Sequence, residues 1–126
     1  MTKIDGIHLA RTALVAILLF AGASSAGQAA ELVMFRQHFC EWCEVWDDEV
    51  GVVYGKTREG RQVPLREVDI YNDRPNDLVG IKPVIFTPTF VLMENGKEVG
   101  RILGYPGEDF FWGLFKKMLK KMPAEG

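Results

Sequence analysis

Short apolar runs and amphipathic stretches alternate along residues 31–126, and each predicts one structural element. The run from Leu32 to Phe35 is typical of a short buried strand, and a second strand is predicted at residues 65–70. Between them, apolar residues recur at steps of three and four residues from Glu41 to Tyr54, which predicts a helix. The buried face of this helix is predicted to consist of Cys43, Trp46, Val50 and Val53.

The second half of the chain predicts a hairpin and a closing helix. Residues 57–62 are polar and predict a loop, and a short helix is predicted after Pro75. Asn95-Gly96 lies between apolar runs at residues 89–93 and 98–103, which is the strongest short signal for a β-hairpin. A helix is predicted at residues 107–122, with an apolar face of Phe110, Phe111, Leu114, Phe115, Met118 and Leu119. This order predicts an α/β fold with a compact, mixed four-stranded sheet flanked by helices.

The first thirty residues have a different character from the rest. Two basic residues precede a nine-residue apolar run, and small residues dominate the following segment, Gly22–Ala30. This pattern is typical of a cleavable signal peptide, whereas an uncleaved membrane anchor would need a longer apolar stretch. We therefore predict a signal peptide at residues 1–30, a folded domain at residues 31–126 and a periplasmic location.

Composition excludes several classes of protein. Lys and Arg total 15 against 17 for Asp and Glu, so no basic excess indicates a nucleic-acid partner. Two cysteines are too few for a secreted scaffold with several disulfides or for a four-cysteine zinc site. In an oxidising compartment they form a disulfide unless something reduces them.

The motif Cys40-Glu41-Trp42-Cys43 follows the first predicted strand and opens the first predicted helix. Free N–H groups and the helix dipole at this position stabilise a thiolate on Cys40. We expect Cys40 to be exposed and Cys43, one turn later, to be more buried. This arrangement suits thiol-disulfide exchange, in which the first cysteine attacks a disulfide and the second resolves the mixed intermediate. No cofactor or metal is required.

Charged neighbours tune Cys40 in opposite directions. A protonated His38 would favour the thiolate, while Glu41 and Glu44 would disfavour it. Because two acids face one partly charged histidine, we expect the thiolate to be disfavoured, which makes the dithiol the better reductant. Trp42 has two interpretations that the sequence leaves open: contact with partners beside Cys40, or packing in the core.

A second motif, Thr87-Pro88-Thr89, stands before the third predicted strand, where an ordinary trans proline would also be acceptable. With Phe39-Cys-Glu-Trp-Cys43, the Asn95-Gly96 hairpin and Gly104, it makes residues 31–122 resemble the thioredoxin family. More narrowly, the chain resembles small periplasmic thioredoxins encoded in sulfur-oxidation gene clusters. The resemblance implies that Pro88 is cis and packs beside the sulfurs, and that the backbone of Thr87 hydrogen-bonds an extended substrate.

The chain also departs from the family pattern. Met34 replaces the family's buried aspartate six residues before the first cysteine, so that group cannot move a proton from Cys43. Glu67 or Asp69 on the neighbouring strand are candidate substitutes. Only nine residues separate the predicted signal peptide from Cys40, so we expect the family's first strand and helix to be missing.

The resemblance implies a monomeric thiol-disulfide oxidoreductase acting as a reductase. Its partners would be disulfide-containing exported proteins, including a sulfur-carrier protein, and its electrons would come from a thiol donor in the membrane. Two other functions remain open. Cys40, Cys43 and His38 could hold Cu(I), although Met34 and Met93 are not evident fourth ligands. Alternatively, the disulfide state could regulate binding to a partner, as in a redox sensor.

Overall fold

A computed structural model describes residues 29–123 of the chain. Its strands are β1 (Glu31–Arg36), β2 (Leu65–Asp69), β3 (Thr89–Glu94) and β4 (Lys97–Leu103). Its α-helices are α1 (Glu41–Trp46), α2 (Val52–Tyr54), α3 (Arg58–Gln62) and α4 (Glu108–Leu119). A π-helical segment, Asp47–Gly51, joins α1 to α2, and a 3-10 turn spans Asn76–Leu78.

The four strands form one mixed sheet, as the sequence predicts, and their order is β2-β1-β3-β4. Strand β1 is parallel to β2 and antiparallel to β3, and β4 pairs antiparallel with β3 at the edge. Asn95 and Gly96 have φ values of 51° and 74°, the positive values that a tight hairpin turn requires. This is a thioredoxin-like α/β fold, with β1 leading directly to the cysteine motif.

The two faces of β1 pack against different apolar clusters, because successive strand residues point to opposite sides. Leu32 and Met34 belong to the larger cluster, which also contains both cysteines. Val33 and Phe35 belong to a smaller cluster on the other face. Trp46, predicted to be a core residue, is 1% exposed and lies in the larger cluster.

The buried faces of two helices differ from the prediction. In the helix predicted at residues 41–54, Val53 is 38% exposed and Tyr54 is buried instead. The π-helical turn before it contains more residues than an α-helical turn, so the next buried residue after Val50 comes four residues later and not three. In α4, Phe110 and Leu114 are 71% and 39% exposed. The residues of α4 that face the sheet are Phe111, Phe115 and Met118, and Phe110 is turned about 100° away from Phe111.

The predicted loop at residues 57–62 is wrong, because Arg58–Gln62 form helix α3. Thr57 caps this helix: its Oγ1 accepts a hydrogen bond from Gly60 N at 2.9 Å and donates one to Tyr54 O at 2.7 Å. The polar composition of the segment is that of an exposed helical turn.

The predicted signal peptide lies outside the described residues except for its last two, which are irregular. Among residues 29–123, no helix has the length and apolar character that crossing a bilayer requires.

Candidate active site

Cys40 is the N-cap residue of α1, with extended backbone angles. Its Sγ accepts a hydrogen bond from Cys43 N at 3.2 Å. The two cysteines form a disulfide, with their Cα atoms 5.2 Å apart. The helix therefore directs an N–H group at the sulfur of Cys40, which is the contact that stabilises a thiolate after reduction.

The two cysteines differ in accessibility less than the sequence suggests. Cys40 is only 6% exposed and Cys43 is fully buried. The expectation of an exposed Cys40 is therefore wrong, because this residue also packs in the larger apolar cluster. Its neighbours project instead: Phe39 is fully exposed and Trp42 is 56% exposed, so Trp42 is not a core residue. A partner that reaches the disulfide must meet Cys40 first.

The Thr87–Pro88 peptide bond is cis, as the family resemblance implies. Phe35, at the end of β1, pairs with Thr89 at the start of β3. This register places Pro88 at the same edge of the sheet as the loop that carries Cys40. Pro88 is buried, and its carbonyl accepts a hydrogen bond from Gly104 N at 2.8 Å.

A polar pocket of about 360 Å³ opens beside Cys40. It is lined by Arg36, Gln37, His38, Phe39, Cys40, Glu44, Glu67 and Asp69. The guanidinium of Arg36 donates to both carboxylate oxygens of Asp47, at 2.7 and 3.0 Å, and to Glu67 at 2.7 Å. The positive charge of Arg36 is therefore matched by these two carboxylates, and the pocket retains an excess of acidic groups.

The two candidate substitutes for the missing aspartate line a pocket with Cys40, but Cys43, whose proton they would move, is not part of that lining. Met34 is fully buried in the larger cluster, so no carboxylate occupies that position. Glu67 and Asp69 line the same pocket as Cys40. Of the predicted tuning residues, His38 also lines this pocket, whereas Glu41 is exposed on α1 outside its lining.

Two residues that hold the site together were missed from the sequence. Tyr105 OH donates a hydrogen bond to Glu49 Oε2 at 2.5 Å, which joins the loop after β4 to the π-helical segment. Burial and then the Glu49 carboxylate raise the pKa of Tyr105 above its usual range, so the hydroxyl stays a donor. Tyr105 follows Gly104, which binds the Pro88 carbonyl. In the sequence, the only signal for Tyr105 was its place as an aromatic residue between Gly104 and Gly107.

The candidate metal ligands are Cys40, Cys43 and His38, with two methionines considered as a fourth ligand. No group of three His, Cys, Asp or Glu side chains within residues 29–123 is placed to hold a metal ion. Met34 lies in the larger apolar cluster and Met93 in the smaller one, on the opposite face of the sheet.

No protein-family model and no curated protein matches the chain. Among solved structures, it is similar to the periplasmic thioredoxin SoxS from Paracoccus pantotrophus in its reduced form, at 41% identity and a TM-score of 0.69, covering 73% of this chain and 97% of that chain. Thioredoxin from Fasciola hepatica is 26% identical with a TM-score of 0.54, covering 71% and 80% respectively. A thioredoxin from Halobacterium salinarum, at 22% identity, 75% and 79% coverage and a TM-score of 0.54, shares the fold.

Proposed function

The chain belongs to the thioredoxin family and is a thiol-disulfide oxidoreductase, and we propose that it acts in the periplasm as a reductase of exported proteins. One observation carries the proposed direction. Cys40 shares its pocket with three carboxylate side chains, while the one arginine there is bound to two carboxylates.

The proposed reaction begins with the thiolate of Cys40 attacking one sulfur of the partner's disulfide. A Cys40–partner mixed disulfide forms, and the partner's other sulfur leaves as a thiolate that takes a proton from solvent. Cys43, as a thiolate, then attacks Cys40 Sγ, which forms the Cys40–Cys43 disulfide and releases the partner's second thiol. Two electrons pass to the partner, and this protein becomes oxidised.

The electrostatics beside Cys40 support the reducing direction. The helix start stabilises the thiolate in any protein with this motif, so the surrounding charges decide how oxidising this one is. Glu44, Glu67 and Asp69 line the pocket with Cys40, and only His38 adds to Arg36 as a basic group there. Like charge and burial both disfavour the Cys40 thiolate, which stabilises the disulfide relative to the dithiol.

Partner binding is proposed to use the surface around the disulfide. The backbone of Thr87 would hydrogen-bond an extended segment of the partner, with Pro88 beside it. Phe39 and Trp42 are exposed next to Cys40 and offer apolar contact area.

Location and partners follow from the proposed signal peptide. We propose cleavage near residue 30 and a monomer in the periplasm, the compartment of the similar thioredoxin SoxS from Paracoccus pantotrophus. Its substrates would be disulfide-containing exported proteins, including a sulfur-carrier protein. A thiol donor in the inner membrane would return the two electrons.

The test is to trap partners with the full-length Cys43→Ser variant, expressed in a bacterium with a periplasm. Without Cys43 the mixed disulfide cannot be resolved, so adducts sensitive to reducing agent should accumulate in the periplasmic fraction. The matched control, the double variant with Cys40→Ser, should form none. N-terminal sequencing of the Cys43→Ser chain recovered from these adducts should give a sequence that starts near residue 30.

The same experiment separates the other two functions. Absence of mixed disulfides, with tight one-to-one Cu(I) binding by the reduced protein, would favour metal handling. Absence of mixed disulfides, with non-covalent capture of a partner by one redox state only, would favour a sensor. A chain retained in the membrane with Met1 at its start would contradict the proposed export.

A further inference from the structure

We propose that Arg101 is a positioning residue for the substrate-binding segment, defined here as Lys82–Pro88. The inference rests on the reductase function proposed above and adds a residue that lies on the edge strand β4, outside the cysteine motif. It concerns how the backbone of Thr87 is held in place for a partner.

Arg101 binds the backbone at the start of this segment. Its Nη1 donates to Pro83 O at 2.9 Å, and its Nη2 donates to Lys82 O at 3.1 Å. The same guanidinium is held from behind by Glu98, through Nε and through Nη2 at 2.8 Å. Both side chains are largely buried, at 16% and 15% exposure, so the Arg101–Glu98 pair is shielded from water, whereas the two carbonyls that Arg101 binds belong to exposed residues.

The direction of the Arg101 side chain follows from the strand. Gly100 faces α4, because a Cβ placed there would lie 3.1 Å from Met118 Sδ. Neighbouring residues of a strand point to opposite faces, so Arg101 points away from α4 and towards the segment.

Arg101 acts together with two other contacts at the start of the segment: Ile81 and Val84 pack against the smaller cluster, and the Glu98 carboxylate accepts a hydrogen bond from the backbone of Lys82. Residues 79–88 form no helix or strand. A cleft of about 520 Å³ separates Gly80–Lys82 from Gly96–Arg101. Arg101 reaches across at the end of this cleft, and its hydrogen bonds satisfy two carbonyls that no strand partner binds.

The far end of the segment has its own attachments. Thr89 Oγ1 donates to Phe86 O at 2.8 Å, and Gly104 N donates to Pro88 O at 2.8 Å. The side chains of Ile85 and Phe86, which follow the Arg101 contacts along the chain, are 76% and 56% exposed. Arg101 therefore fixes one end of a stretch whose exposed part faces the partner.

An arginine suits this position better than a lysine. Its planar group carries five donors, so one side chain can serve two carbonyls and a carboxylate together. Hydrogen bonding to Arg101 lowers the pKa of Glu98, which keeps that carboxylate ionised and the guanidinium oriented. A lysine ammonium cannot reproduce this geometry.

Loss of Arg101 should weaken partner binding and leave the cysteine chemistry unchanged. Its hydrogen bonds join β4 to residues 82 and 83 and reach Glu98 within β4 itself, and none reaches α1. Displacement of the segment changes where Thr87 meets the partner, and such displacement raises KM when it removes binding common to ground and transition states. The reduction potential of the Cys40–Cys43 couple should stay the same.

The test measures insulin reduction and the reduction potential for Arg101→Met. We expect KM for insulin to rise about tenfold, with kcat within about twofold of wild type and the potential unaltered. Arg66→Met is the matched control. Arg66 forms ion pairs with Glu31 and Asp77, at 2.9 and 2.7 Å. The Arg66→Met variant therefore loses comparable ion pairs but no contact with the segment. Its KM should not change.

An unchanged KM for Arg101→Met, an equal rise for Arg66→Met, or a shifted potential would each overturn the proposal. If Arg101→Met does not fold, Arg101→Lys decides, since it keeps the charge and most of the side chain: a raised KM supports the role and an unchanged KM refutes it. If the wild-type protein reduces no insulin, the proposed function and this inference are both refuted. An active wild type with unchanged variant KM removes this inference alone.

Discussion

Replacing Cys40 by serine is expected to lower insulin reduction to the rate of dithiothreitol alone. Cys40 is the cysteine of the pair that keeps accessible surface, at 6% against none for Cys43. Its sulfur also accepts the Cys43 N–H at the start of α1. A serine hydroxyl does not replace a thiolate as a nucleophile towards disulfides at neutral pH. The measurement is the rate of insulin precipitation with dithiothreitol as the electron donor.

The Cys43→Ser variant is the matched control for this result, because it removes the other sulfur and leaves the attacking one. When the reduced variant is mixed with insulin without dithiothreitol, which would cleave the adduct, it should complete the first step and stop, with one mixed disulfide per protein. Insulin reduction above the background rate by Cys40→Ser would show that the roles assigned to the two cysteines are wrong. So would the absence of a mixed disulfide between Cys43→Ser and insulin.

Replacing Gly60 by alanine is expected to destabilise the fold by about 3 kcal/mol or more, the upper end of the usual cost of overpacking. An added Cβ would lie 1.8 Å from Tyr54 O and 2.6 Å from the carbonyl carbon, and backbone cannot yield as a flexible side chain can. Any shift of that carbonyl would also disturb its hydrogen bond with Thr57 Oγ1. For a domain of this size the melting temperature should fall by about 12 °C or more.

Gly55→Ala provides the comparison for Gly60→Ala. A Cβ at Gly55 would meet nothing within 4 Å, and the residue has helical backbone angles. Its stability should match wild type or exceed it by about 0.4–1 kcal/mol, through a less flexible unfolded chain. Equal melting temperatures for the two variants would contradict the close approach of Gly60 to Tyr54.

Local signals explain what the sequence could predict. The strand at residues 31–36, the two cysteines at the helix start and the Asn95-Gly96 turn each depend on residues close together in the chain. Trp46 follows from the same helical spacing. The family resemblance added the cis bond before Pro88, which no local spacing requires.

Contacts between distant segments explain what was missed. Arg36, Asp47 and Glu67 come from β1, the π-helical segment and β2, and they meet because Met34 and Glu67 pair across the two strands. Arg101 likewise meets Lys82 and Pro83 only through the fold.

The predicted buried faces of the two helices were partly wrong for a different reason. Periodicity allows steps of three or four residues, and the choice between Val53 and Tyr54 depended on a π-helical turn. Phe110 is apolar but exposed, because only packing decides which of two adjacent phenylalanines faces the sheet.

The equilibrium reduction potential of the Cys40–Cys43 couple tests the central claim most directly, since it reports whether the dithiol gives or takes electrons. Titration of the protein against glutathione, with the oxidised fraction followed by thiol alkylation, gives this value. The acidic pocket beside Cys40 predicts a potential more negative than about −200 mV, nearer thioredoxin at about −270 mV than the strongly oxidising periplasmic enzymes at about −120 mV. A potential less negative than about −200 mV would contradict the account, because the dithiol would then be too weak a reductant for exported partners.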